Sequence, residues 1–141
     1  MTRWWPEPTA GDIVWCHFPD DIHPRPKPRP ALIVVVFDDD APQFAVRAVY
    51  GTSQRTTTLH RGEFAILRDR NAAAYQAAGL SYDTKFDLKQ MLVLPYTTDW
   101  FSVPPAAPHG QSPKLGTLHP SLVHALEAAY RASVDLGRKG K

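Results

Sequence analysis

The 141-residue chain carries a single cysteine, two methionines and a formal charge of only +2. One thiol cannot close an internal disulfide. Cys16 lies in an apolar run, where a thiol acts as a small inert hydrophobe rather than a nucleophile. So small a net charge means that any affinity for nucleic acid has to come from where the charges sit rather than from their sum. The longest continuous apolar run, Ala31 to Phe37, falls far short of the roughly 20 residues of a membrane-spanning helix, and no export-type apolar segment follows the opening Met1-Thr2-Arg3-Trp4-Trp5-Pro6. A cytoplasmic protein with no membrane partner is expected. His17, His60, His109, His119 and His124 are not arranged with cysteines or carboxylates at metal-ligand spacing, so the expectation is no metal and no cofactor. The run Asp38-Asp39-Asp40 reads as a solvated turn.

What is present is hydrophobic and charged content of 43% and 21%, enough for one ordinary domain spanning residues 1–141. Ile13 to Phe18 is apolar on both alternating faces and reads as a central strand. Pro19, Pro24, Pro26, Pro28 and Pro30 then remove five backbone donors and fix φ, which excludes a helix and predicts an extended loop. Ala31–Phe37, rich in β-branched residues, reads as a second buried strand, and Phe44–Tyr50 as a third running back beside it, ended by Gly51-Thr52-Ser53-Gln54. Glu63–Leu67, Thr84–Leu88 and Met91–Tyr96 are further strands. Asn71–Ala78 reads as a short helix closed by Gly79. Pro104, Pro105, Pro108 and Pro113 mark an irregular crossing, and a last helix over about 120–136 begins at His119-Pro120. Its core face is read as Leu122, Val123, Leu126, Ala129, Tyr130 and Ser133. The pattern predicts a mainly β fold with α, a small SH3-like β-barrel carrying a short helix after the strands and a C-terminal helix.

Gly11-Asp12-Ile13-Val14 and Arg29-Pro30-Ala31-Leu32-Ile33-Val34, with Thr52-Ser53 ending the following strand, resemble the MazF/PemK family of toxin ribonucleases. The resemblance covers roughly Gly11 to Tyr96. Lys85-Phe86-Asp87 looks similar to a basic-x-Asp triplet that joins the site in some members, and His23 lies six residues before Arg29, where some members place a Glu- or His-containing loop.

This resemblance implies a metal-independent endoribonuclease that cuts single-stranded RNA by attack of its own 2′-hydroxyl. It assigns proton abstraction to Asp87 or His23, phosphate stabilisation to Arg29, and orientation of a phosphate oxygen to Thr52. Arg25, Lys27, Ser53, Gln54 and Lys85 would contact RNA. It also implies a homodimer with a basic channel between its loops, and a cognate antitoxin laid into that channel. The chain departs from the family in two places. The glycine-rich acidic loop of many members is here the basic, stiff His23-Pro24-Arg25-Pro26-Lys27-Pro28, and lysine replaces arginine in the later triplet, giving a point charge in place of a two-pronged clamp.

A second reading keeps the barrel and discards the chemistry, leaving a module that binds nucleic acid or protein; a third, on the related CcdB-like barrel, is a DNA-gyrase poison. Arg29 could equally be a solvated charge at a strand root, Thr52 a turn hydroxyl, and Asp87 a surface carboxylate paired with Lys85 or Lys89.

Overall fold

The computed structural model describes residues 1–18 and 27–139. The strands are β1 (Asp12–Cys16), β2 (Arg29–Asp40), β3 (Gln43–Thr52), β4 (Glu63–Ile66), β5 (Thr84–Pro95) and β6 (Lys114–Thr117), with helices α1 (Ala72–Ala78) and α2 (Val123–Lys139). All six strands join one antiparallel sheet in the order β4-β5-β3-β2-β1-β6. The protein is therefore mainly β with two helices, its sheet curled. No helix among the described residues is long and apolar enough to cross a membrane.

The unbroken apolar runs of β1 and β2 are explained by two cores, one on each side of the sheet. Ile13, Leu32, Val49, Phe64, Ile66, Phe86 and Leu88 point to the first core, where α1 contributes Ala74 and Ala78 and α2 contributes Ala129. Val14, Cys16, Ala31, Ile33, Val46, Ala48 and Leu94 point to the second, closed by Phe18, Tyr96 and Phe101. Because successive strand residues face opposite ways, Ile13↔Leu32 pack in one core and Val14↔Ala31 in the other. Burial pushes the Cys16 thiol up to about 12, so it stays neutral inside the second core. The Tyr96 hydroxyl is raised as well, first by burial and then by the nearby Asp12 and Cys16.

Asp12 is buried, and its carboxylate is fully engaged. It accepts from the Thr9 amide at 2.9 Å and pairs with Lys114 at 3.4 Å. This carboxylate pins the chain's entry to β1 onto β6. Gly79, at φ +68°, ends α1 as expected, and a Cβ there would lie 2.1 Å from the Leu115 carbonyl oxygen.

Three expectations need correcting. The segments expected over Thr84–Leu88 and Met91–Tyr96 form one twelve-residue strand that ends at Pro95, interrupted only in its pairing: the β3–β5 register moves between Val49↔Met91 and Gly51↔Phe86. Lys114–Thr117, within the supposed irregular crossing, forms β6 because its backbone finds the open edge of β1. The last helix begins as a 3-10 turn over Pro120–Leu122, and its inward residues are Leu122, Ala125, Leu126 and Ala129. Val123 and Tyr130, read as core, are 39% and 48% exposed, because the helix is rotated so that small alanines meet the sheet.

Candidate functional site

Arg29 opens β2 opposite Cys16, and Ala31, two residues on, is paired with Tyr50 of β3. Continuing that register by two residues sets Thr52 across from Arg29, and Thr52 is itself paired with Lys85 of β5. Strand alternation then puts Arg29, Tyr50, Thr52, Lys85 and Asp87 on one face, the face of the second core. Residues distant in the chain thus form a single cross-strand row. Neighbouring strands lie about 4.8 Å apart, so the row from Arg29 through Thr52 to Lys85 spans roughly 10 Å.

Within this row the side chains are in different states. The Arg29 guanidinium lies 5.6 Å from the centre of the Tyr50 ring, which meets the Phe18 ring at 5.2 Å. No carboxylate among the described residues pairs with Arg29. A guanidinium that rests on an aromatic face still has its edge N–H donors for hydrogen bonds in the ring plane. The Thr52 hydroxyl is half-buried and accepts from the Gln54 amide at 3.2 Å, a bond that tightens the turn and leaves the hydroxyl proton to donate.

Lys85 is different. Its ammonium donates to the Thr58 carbonyl at 3.0 Å and pairs with Glu63 at 3.2 Å, and both side chains are more than nine-tenths buried. Glu63 also accepts from the His60 amide at 2.6 Å. Burial alone would raise the Glu63 carboxyl, but the His60 amide and the Lys85 hydrogen bond and charge outweigh it and hold the group below its ordinary range. Lys85 therefore faces the β3–β4 loop and not solvent.

Asp87 sits in the irregular part of β5. One oxygen accepts from the Lys89 amide at 3.0 Å and lies 4.0 Å from the Lys89 ammonium, and the other accepts from Gln90 at 3.4 Å. It caps its own strand's bulge while sharing the face of Arg29.

Arg29 also borders a cleft of about 700 Å³ with Lys27, Ser53 and Gln54, roofed by the α1–β5 connection and by the proline-rich segment after β5. Lys27 and Gln54 are exposed, and Ser53 follows Thr52 out of β3. His23 and Arg25 lie outside the described residues.

Three contributors escaped the sequence reading. Tyr50, the platform for Arg29, was readable in principle, since it lies two residues before Thr52 on the same strand face. Tyr82 and Trp15 border the cleft without any local motif that marks them. Gly51 provides the floor: a Cβ there would lie 2.7 Å from the Pro30 carbonyl oxygen and 2.9 Å from Phe86, so only glycine lets β2 and β5 close around β3. No protein-family model and no curated protein matches this sequence.

Proposed function

We propose that the protein is a metal-independent endoribonuclease of the MazF/PemK toxin kind, built on that family's SH3-like barrel and acting on single-stranded RNA. The observation that carries this reading is the β2–β3 register, which, continued two residues beyond Ala31↔Tyr50, sets Arg29 across from Thr52, while Arg29 also lines the cleft. A phosphodiester seated there gains charge-assisted bonds from Arg29 and one hydrogen bond from Thr52. The RNA 2′-hydroxyl loses its proton to Asp87 or to His23 and attacks phosphorus. The bond to the 5′-oxygen breaks, and that oxygen takes a proton from solvent, its departure assisted by the Arg29 guanidinium. Arg29 stabilises the charge that accumulates on the non-bridging oxygens, so the group needed in the transition state is already in place. The products are a 2′,3′-cyclic phosphate and a 5′-hydroxyl. A homodimer would extend the basic surface around Lys27, and a cognate antitoxin segment occupying it would block RNA.

The test is incubation of the purified protein with a long RNA in excess chelator, followed by mapping of the fragment ends. Cyclic-phosphate and 5′-hydroxyl ends that vanish with Arg29→Ala support the reading; fragments with plain 3′-hydroxyl ends, or intact RNA, reject it.

The engagement of Lys85 and Asp87 within the fold favours a second reading, a binding module in which Arg29 and the loop only dock nucleic acid. RNA bound and left whole would select it.

A further inference from the structure

The cleft beside Arg29 has a chemistry of its own. At about 700 Å³ it lies in the range of sites that enclose a small ligand, and among the described residues its lining holds two cations, Lys27 and Arg29, and no carboxylate. Its apolar lining includes flat groups: the Trp15 ring of β1, Pro104, Pro105 and the exposed Tyr82. Tyr82 is 72% exposed, an aromatic ring left in water at the edge of an apolar cleft, with no ring partner among the described residues. Ser53 and Gln54 bring a hydroxyl and a carboxamide that bond to no other described side chain. Flat walls select a planar ring, a carboxamide reads the donors and acceptors on its edge, and cations at one side select a ring that carries an anionic group.

We propose that this cleft seats one unpaired nucleobase, stacked on Tyr82 and read by Gln54, while Arg29 holds the adjoining phosphate; the assignment of that phosphate as the scissile one rests on the ribonuclease reading. The segment from Pro104 to Pro108, beyond the stretch that resembles the toxin family, then acts as the far wall of the base site and so in base selection.

The probe is a set of 2′-O-methyl tetranucleotides, one for each base, with an abasic tetramer of the same charge. They lack the attacking hydroxyl and cannot be cut, so binding is read alone, by calorimetry at one low salt concentration. The expected result is that at least one base-bearing tetramer binds roughly tenfold or more tightly than the abasic one, the scale of one aromatic–base stack. Tyr82→Ala should erase that margin, Gln54→Ala should reorder the four bases, and Arg29→Ala should weaken all five probes alike. Equal binding of abasic and base-bearing tetramers, a margin untouched by Tyr82→Ala, or no binding at all overturns the proposal.

The same proteins tested on natural RNA separate the two readings. Uncut RNA together with a margin lost in Tyr82→Ala removes the ribonuclease and leaves the base site. Cut RNA with the same cut positions in wild type and Tyr82→Ala, and no margin in the tetramers, removes the base site and leaves the ribonuclease.

Discussion

Arg29 and Lys85 are cations on the same face of the same sheet, separated by one strand, yet their surroundings are opposite. Lys85 is enclosed with Glu63, the Thr58 carbonyl and the β3–β4 loop, so its charge is answered inside the fold. Arg29 lies on an aromatic ring with no carboxylate against it among the described residues. A buried cation with its own anion serves architecture: removing either partner leaves an uncompensated charge, and a ligand gains nothing from the pair. A guanidinium on a π face is held in position while its edge donors remain available. The contrast gives a structural duty to Lys85, which the family resemblance offered as an RNA contact, and leaves Arg29 as the cation on which the proposed anion site rests.

The largest effect should come from breaking the enclosed pair. Lys85→Met is expected to destabilise the fold by roughly 3–5 kcal/mol, measured by denaturant titration, because Glu63 stays buried without its cation. The double variant Lys85→Met/Glu63→Leu should recover much of that loss. A single variant as stable as the wild type would mean that the pair is not enclosed in solution.

Arg29→Ala should do the reverse. Stability should fall by only about 0.5–1 kcal/mol, the scale of a cation–π contact. RNA cleavage should drop roughly 100- to 1,000-fold in kcat, as when a transition-state donor is deleted. Unchanged cleavage would place the chemistry elsewhere. Thr52→Val should cost about tenfold in cleavage rate with little change in melting temperature, consistent with one hydrogen bond to a charged group.

The smallest effect is a pH dependence. Since the folded Glu63 carboxyl titrates below its unfolded value, the unfolded chain binds more protons in the interval between the two, and stability rises with pH there. The contribution is complete above the ordinary glutamate value of about 4.3 and disappears as pH falls through the folded one. Melting temperatures taken from pH 6 downward should show a decline in acid that is shallower in Glu63→Gln. Parallel curves for the two proteins would disprove the linkage.

Much of the architecture was legible because β1 and β2 state their periodicity plainly: the runs Ile13–Cys16 and Ala31–Phe37, apolar at every position, ask for packing on both faces, and the two cores supply it. The end of α1 was legible because Gly79 occupies a backbone conformation that other residues resist. β6 was not, since four residues including Gly116 carry no alternation of their own and become a strand only by meeting β1. The rotation of α2 was hidden for a related reason. Apolar spacing admitted either face, and the choice fell to alanines that pack closely. In the candidate site, the β2–β3 register brings together Arg29 and Thr52, which the family resemblance named, but the burial of Lys85 was not readable. Its partner Glu63 is 22 residues away, and only the β4–β5 pairing brings them together.

Gly51 touches no substrate in any of these schemes, yet a single added carbon there would meet the Pro30 carbonyl oxygen, Phe86 and Thr84 at 3.0 Å or less. In a saturation library screened for the proposed RNA cleavage, position 51 should therefore show the narrowest tolerance of the strand, mimicking a chemical requirement although its constraint is one of space. Genetic intolerance at this position measures how tightly three strands converge beneath the cleft.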